Sequence, residues 1–335
     1  MPAWGGDASV TVPRYGLVAG LAAGLALSCD AAPEQEDLDE PRWAQDPIEV
    51  RVVTANLAQW NWDALLARNG LESDDYILFG ALQLWYLQTL EAPGATIYNI
   101  QESSVRREES GGFNWPMALE LALGSEAVLP QHATYASTYE RFSPLQDHDV
   151  GTWGSALTTN LDVEDYEVWN LSEGCGPGVR RVAQAARFDV GLVSLWSVNV
   201  HFEICDYAEV NACNLDNLLD QLDDLPTDDV VIVSGDFNIA QDATDDCPHH
   251  PAHFQDMVDG FRDRQFVRVD SVKVDHIFVR DPQFKLSGVE SRTFDPLVDT
   301  SNGPVDVSDH HFIETDFDVL GPGMSPSLVP LLTTL

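Results

Sequence analysis

An α/β fold of two packed β-sheets with helices on their outer faces is predicted from three features of this chain. Short apolar, strand-like runs are interleaved with segments of helical spacing. Several of these strands are separated only by short turns, which antiparallel pairing allows and a parallel crossover does not. Neither a GxGxxG nor a GxxxxGK[ST] loop occurs, so a doubly wound, nucleotide-cradling sheet has no support.

The elements follow in order from Ile48. Ile48 to Ala55 alternates apolar and polar residues and runs into Asn56. Asp74 to Leu90 is mostly apolar behind acidic starts and reads as a buried helix. Thr96 to Ile100 is a second short strand, ending at Gln101-Glu102, and Trp115 to Leu123 has helical spacing. His132 to Phe142, Thr152 to Thr158, Val179 to Asp189 and Leu192 to His201 read as successive strands. Leu215 to Leu225 is helical and stops at Pro226, as helices do. Val230 to Val233 then forms a buried strand that runs through Ser234 into Gly235-Asp236-Phe237-Asn238. There Gly235 supplies backbone freedom, Phe237 turns back to the core, and Asp236 and Asn238 share one side of an extended chain. A helix over Ala252 to Phe261 and strands over Lys273 to Val279 and His311 to Val319 complete the set.

The 335 residues, 44% of them hydrophobic, suffice for a large core. Seventeen Lys+Arg face 55 Asp+Glu, a formal charge of −38, and the only lysines are Lys273 and Lys285. That balance disfavours broad binding of polyanions. Arg14 precedes an apolar run from Tyr15 to Leu27, too short to span a membrane comfortably, and Ala26-Leu27-Ser28-Cys29 follows. Residues 1–29 thus read as an export signal resembling the bacterial lipoprotein type, with Cys29 lipidated and serving as a membrane anchor. An ordinary secretory signal is the competitor. Residues 30–47 form an acidic linker, 48–320 one catalytic-sized domain, and 321–335 a loose tail; the chain is expected to be a monomer. The remaining cysteines, Cys175, Cys205, Cys213 and Cys247, are even in number, so an exported chain is expected to hold two disulfides. Nearness in sequence favours Cys205 with Cys213, leaving Cys175 with Cys247. No CxxC or His-rich spacing argues for zinc.

Polar residues end several strands: Asn56, Glu102, His201, Asp236 with Asn238, Asp275 and Asp309-His310. Strand ends at one rim of a sheet converge, and ligand sites form there. Carboxylate and amide oxygens suit Mg²⁺, and histidines beside acids titrate near neutrality. The motifs Ile100-Gln101-Glu102, Gly154-Ser155-Ala156, Val198-Asn199-Val200-His201, Gly235-Asp236-Phe237-Asn238, Val274-Asp275-His276-Ile277 and Ser308-Asp309-His310 follow Asn56 in order. Together they resemble the series of the endonuclease/exonuclease/phosphatase superfamily, whose members include pancreatic-type deoxyribonucleases and neutral sphingomyelinases. The likeness spans Ile48 to Val319.

The resemblance implies a four-layer α/β sandwich with largely antiparallel sheets and a divalent-metal phosphoesterase site. Glu102 would be the main ligand of Mg²⁺, with Mn²⁺ or Ca²⁺ as alternatives, assisted by Asn56 and Asp309. His310 would act on water or a phosphoryl oxygen, oriented by Asp275. Asp236 would orient or activate the water, and Asn238 would hold the phosphate. His201 would contact a phosphoryl oxygen or assist the leaving group, paired with Glu140, and Arg181 would meet substrate phosphate.

Plainer readings exist for each residue. Asn56 alone is more often a turn residue, Glu102 a solvated acid, and His201 a hydrogen-bonded core histidine. His276 and His311 are left out, the latter because strand neighbours alternate. His249 and His250 lie in an Asp-rich loop where a solvated turn is the commoner outcome. The implied activity is hydrolysis of a phosphodiester, with nucleic acid slightly favoured over a sphingomyelinase-like phospholipid head group or an inositol phosphate. A non-catalytic, lipid-anchored binding module of the same fold is the rival.

The acid-rich, Lys-poor composition also matches a chain adapted to salty surroundings, where screening weakens self-repulsion. Its Tm is then expected to rise as sodium chloride is added, and a thermal scan in which Tm stays level or falls removes that idea.

Overall fold

The computed structural model describes residues 47–58, 62–71, 76–90, 94–105, 118, 134–137, 152–176, 180–243, 247–301 and 303–320. The expected export signal, the linker before Pro47, the 321–335 tail, Glu140, and the 115–123 helix apart from Ala118 lie outside the described residues.

The strands are β1 (Ile48–Asn56), β2 (Ala95–Val105), β3 (Thr134–Ser137), β4 (Thr152–Thr159), β5 (Asp165–Asn170), β6 (Val182–Val190) and β7 (Val193–His201). They continue as β8 (Val230–Asp236), β9 (Val267–Val272), β10 (Asp275–Arg280), β11 (Leu286–Phe294), β12 (Leu297–Thr300), β13 (Gly303–Asp306) and β14 (Phe312–Val319). The helices are α1 (Trp62–Arg68), α2 (Tyr76–Gln88), α3 (Ala208–Asp224) and α4 (His250–Asp263), with a 3₁₀ turn at Cys205–Tyr207.

Two six-stranded sheets stack, in the orders β11-β14-β1-β2-β4-β3 and β5-β6-β7-β8-β10-β9, beside a small β12-β13 ribbon. Each large sheet has one parallel pair at its centre, β1 with β2 and β7 with β8, and its other pairings are antiparallel. The expected four-layer sandwich is therefore the observed one. Val50, Val52, Ile97 and Phe317 of the first sheet meet Phe188, Leu195, Ile232 and Ile277 of the second in one core. The outer face of the second sheet packs on Leu215, Leu218 and Leu222 of α3 and Met257 and Phe261 of α4. Val53, Tyr98 and Leu87 join the first sheet to α2.

Towards one end of the sandwich the core between the sheets changes character. Asn99 Nδ2 donates to Ser197 Oγ (2.9 Å) and Ser234 Oγ (2.8 Å), and Gln101 Nε2 donates to Asn199 Oδ1 (2.7 Å). Asn199 Nδ2 in turn donates to the carbonyls of Ile100 (3.0 Å) and Ala156 (3.1 Å). These buried bonds run from sheet to sheet and have directions, so they register one sheet on the other where plain apolar packing would tolerate sliding.

Several elements differ from expectation. Helix α3 begins at Ala208, well before Leu215, because its first turns bury asparagines that hide the apolar stripe. Asn211 Nδ2 donates to the Glu203 (2.6 Å) and Phe237 (3.0 Å) carbonyls, and Asn214 Nδ2 to that of Leu171 (2.8 Å). Strands β5 and β9 lie at the edges of the second sheet and β11 at an edge of the first, largely half-buried or exposed, and their mixed composition conceals them. The disulfides also differ: Cys175 pairs with Cys213 (Cα–Cα 5.5 Å) and Cys205 with Cys247 (5.8 Å). Cys213 sits inside the rigid α3, and Cys205 in the turn before it. Closeness in sequence does not bring them face to face.

His276 is buried in an aromatic nest of Phe237, Phe254 and Phe278. Its Nε2–H donates to the Ile239 carbonyl (2.6 Å), and Nδ1 has no hydrogen-bond partner among the described residues. Burial drives its pKa down to about 4. Because the unfolded chain takes up this proton near pH 6.5 and the folded chain does not, stability is lost as pH falls from 6.5 towards 4. A His276→Gln variant, which can still donate to Ile239 but does not titrate, is expected to lose roughly 3 kcal/mol less than the parent over that window. Urea melts at both pH values check this, and identical losses refute it.

Candidate active site

The topology explains why residues distant in sequence share one rim. Asn56 and His201 end β1 and β7, and Asp236 ends β8, all pointing the same way along the parallel central pairs. Asp275 begins β10, antiparallel to β8, and His310 precedes β14, antiparallel to β1, so both lie at that same end. Register completes the arrangement: His201 is paired with Asp236, and Asp236 with Asp275. Neighbours in register present their side chains to one face, which also sends His276 to the opposite face. Gly235 (φ 145°) allows the close approach, since a Cβ there would run into the Val200 backbone.

The side chains of these residues meet across the seam between the sheets. Asn56 Nδ2 donates to Asp236 Oδ2 (3.0 Å) and lies 3.5 Å from Glu102 Oε1, while its Oδ1 accepts the Ala58 N–H (2.8 Å). His310 Nδ1 donates to Asp275 Oδ2 (2.9 Å), and its Nε2 lies 3.9 Å from Asp236 Oδ2 and 4.0 Å from Asp309 Oδ1. His201 Nε2 lies 3.7 Å from Asp236 Oδ2. Asp236, Asp275 and His201 are buried, whereas Glu102 and His310 are only partly so and Asp309 is exposed.

Two candidate residues adopt left-handed backbone: Glu102 (φ 56°) and Asn238 (φ 51°). Glu102 lies in the irregular stretch of β2 where its register on β4 shifts, between Ile100 and Ser103. Such conformations cost about 1 kcal/mol or more for non-glycine residues and collect at working sites. Asn238 is not on an extended strand beside Asp236, as its sequence suggests. Its N–H folds back onto Asp236 Oδ1 (2.8 Å) and its Nδ2 donates to the Phe202 carbonyl (3.0 Å), tying the loop after β8 to the end of β7.

Burial and charge push the ionisable groups apart. Burial, then the neighbouring Asp275 carboxylate, raise Asp236 to about 6, against the opposing pull of His310 and the donors on Asn238 and Asn56. Burial opposes charge on His310, but Asp275, Asp236 and Asp309 around it push its pKa up to about 10. Burial, reinforced by Arg181 and His310, holds His201 well below its ordinary value. At neutral pH the cluster is therefore an imidazolium on His310, a neutral His201, and a carboxylate on Asp236 that is a usable base.

Asp236, Asp275 and His310 offer ligand atoms within 4.8 Å of one another. Their mutual hydrogen bonds and charges already compensate them, which fits proton handling better than a metal cage. Glu102 and Asp309, towards the open side, supply the hard oxygen donors that suit Mg²⁺. With its Oδ1 turned to Ala58, Asn56 presents a donor to Glu102 and Asp236 and orients both carboxylates.

The fold compares directly with solved proteins. The endonuclease/exonuclease/phosphatase protein of Beutenbergia cavernae matches with TM-score 0.56 and 15% identity, covering 81% of this chain and 72% of that one. The family protein of Bacteroides thetaiotaomicron matches with TM-score 0.55 and 15% identity, over 83% of this chain and 97% of that one. A humanised TDP2 of D. rerio matches with TM-score 0.50 and 14% identity, over 80% and 98%. The chain shares the fold of these solved structures. No protein-family model and no curated protein matches the sequence.

Three groups at this rim were not assigned a role from the sequence. Ser308 Oγ donates to the Asn56 carbonyl (2.6 Å) and accepts the His310 N–H (3.0 Å), locking the Asp309-His310 turn to β1. Asn199, within a motif already singled out, carries the polar layer below the site. Glu203 is the third: its Oε1 receives Arg181 Nη2 (3.0 Å), and the two side chains are 1% and 3% exposed. Arg181 thus lies in a buried ion pair, not at an open surface where substrate phosphate would meet it.

Removing one member of a buried pair strands the other charge, at a cost of about 3–5 kcal/mol, whereas replacing both with apolar residues is far milder. Arg181→Met is expected to destabilise by that amount, and Arg181→Met with Glu203→Leu to recover most of it. Denaturant melts of the single and double variants check the energetics. If Arg181 instead serves substrate, the folded double variant will raise KM for a phosphodiester with little change in Tm.

Proposed function

We propose that this chain is an exported, divalent-metal-dependent phosphodiesterase. The observation that carries the reading is the Asp236–His310–Asp275 cluster at a strand-end rim, with Asn56 and Glu102 beside it. Glu102 leads the metal-binding set, with Asp309 second and Asn56 chiefly orienting. A bound Mg²⁺, or Mn²⁺ or Ca²⁺ in its place, would neutralise charge that develops on the phosphoryl and leaving oxygens.

The protein's own groups do the rest. Asp236, raised towards neutrality yet held in place by Asn56 and Asn238, accepts the proton of the attacking water. His310, kept cationic by Asp275, holds a phosphoryl oxygen and stabilises the charge that builds on it. This divides the labour differently from a simple histidine base, because a His310 pushed up to about 10 holds its proton too firmly to take another. Neutral His201 contacts a phosphoryl oxygen as a hydrogen-bonding group, and Asn238 fixes the loop that receives the phosphate. Arg181 acts from beneath the rim, by holding Glu203 and keeping His201 uncharged.

A nucleic-acid phosphodiester is the first substrate class. The second is a phospholipid head group, and the −38 charge favours it, since a zwitterionic ester is not repelled as a polyanion is. An inositol phosphate is the third class. Anchoring through Cys29 and a monomeric state complete the proposal.

Hydrolysis of bis-p-nitrophenyl phosphate is expected to require the metal, to vanish with chelator and to return with Mg²⁺. His310→Ala should lower kcat about 10²–10⁴-fold with the fold intact. No turnover with Mg²⁺, Mn²⁺ or Ca²⁺ would instead identify a binding module, and full activity in His310→Ala would remove the role given to that residue. DNA, RNA, sphingomyelin and inositol phosphates compared at low and high salt then rank the substrates.

A further inference from the structure

A second cluster lies outside the phosphoesterase rim. Cys205 and Cys247 are joined by a disulfide, and their sulfurs and a ring nitrogen of His250 all lie within 4.8 Å of one another. The three come from separate elements. Cys205 opens the 3₁₀ turn that follows β7, Cys247 closes the loop that follows β8, and His250 begins α4. The His250 N–H lies 3.3 Å from the Cys247 carbonyl, and His249 Nε2 lies 3.1 Å from the Cys205 carbonyl, so the turn holding all three is braced from both sides.

His250 is the anomaly. It is 5% exposed, and among the described residues neither ring nitrogen has a hydrogen-bond partner. Backbone groups of Asp242 and Asn238 lie near enough to favour its charged form without reaching hydrogen-bond geometry. A buried imidazole with no partner is costly, and an ion that belongs beside it is one of the few explanations. Two sulfurs within 4.8 Å of such a ring are a soft donor set.

We propose that reduction of the Cys205–Cys247 bridge converts this cluster into a Cys₂His site for Zn²⁺, separate from the phosphoesterase centre. A dithiol delivers two electrons and two protons, the S–S bond breaks, two thiols form, and the dithiol leaves as its own disulfide. Zinc entry then displaces the two thiol protons to solvent, since thiolates are the ligands. Tetrahedral coordination, with Zn–S about 2.3 Å and Zn–N about 2.0–2.1 Å, sets ligand atoms roughly 3.4–3.8 Å apart. The sulfurs must separate by less than about 2 Å from their bonded distance to reach this, a movement within reach of side-chain rotation. The fourth position falls to water. Bridge or metal, the link ties the loop after His201 to the loop carrying Asn238, so the exchange would keep both phosphoesterase loops fastened in a reducing medium.

The test uses the full chain carrying Cys29→Ser, Cys175→Ser and Cys213→Ser, so that Cys205 and Cys247 are its remaining thiols. After reduction by a phosphine and desalting, Co²⁺ and then Zn²⁺ are titrated in excess Mg²⁺. The expected result is one Co²⁺ per chain with a thiolate-to-cobalt charge-transfer band, displaced by Zn²⁺ and absent from the oxidised chain. His250→Ala should weaken the site by at least the ten- to hundred-fold that losing even an outer partner costs. A reduced chain without the band, or equal affinity in His250→Ala, overturns the proposal. Should the reduced chain unfold, recovery of its near-ultraviolet circular dichroism on adding Zn²⁺ supports the site, and failure to recover counts against it. Neither readout depends on phosphoesterase activity.

Discussion

Two hydrogen bonds cross from sheet to sheet at the rim, Asn56 to Asp236 and His310 to Asp275, and they answer the hardest constraint in the molecule. Asp236 and Asp275 are neighbours in register on adjoining strands and both are buried. Two carboxylates so placed cannot both stay ionised without a cation between them. The first sheet supplies that cation from His310 and a neutral donor from Asn56. Neither sheet alone is a stable way to bury these acids.

Docking the sheets accurately enough for those bonds falls to the layer below. Asn99, Gln101, Asn199, Ser197 and Ser234 hydrogen-bond across the seam just beneath the rim. An apolar interface would be as adhesive but less particular about register. Ser308 then locks the His310 turn to β1, and the bond from Asn238 to the Phe202 carbonyl locks the β8 loop to β7. The polar groups of this region divide into those that meet solvent and those that hold them in place.

Charge is distributed with the same economy. Burial and like charge lift Asp236 towards neutrality, anionic neighbours hold the proton on His310, and burial with Arg181 keeps His201 neutral. One carboxyl and two imidazoles thus end in three different states, which is how a single rim can offer a base, a cation and a neutral donor at once.

Much of this was legible in the chain itself. The β-rich runs, the two packed sheets with helices outside, and the strand ends at Asn56, His201 and Asp236 follow from periodicity, because alternation and strand termini are local properties, while the four-layer sandwich is what the family resemblance implies. Other features are decided only when distant segments meet. The disulfide partners, the burial of Arg181 against Glu203, the turned backbone of Asn238 and the long, asparagine-bearing start of α3 depend on what faces each residue across a gap in sequence of tens of positions. The raised pKa values of Asp236, Asp275 and His310 belong with them. Residue type sets an intrinsic proton affinity, but only the packed structure sets the dielectric and the neighbouring charge that move it.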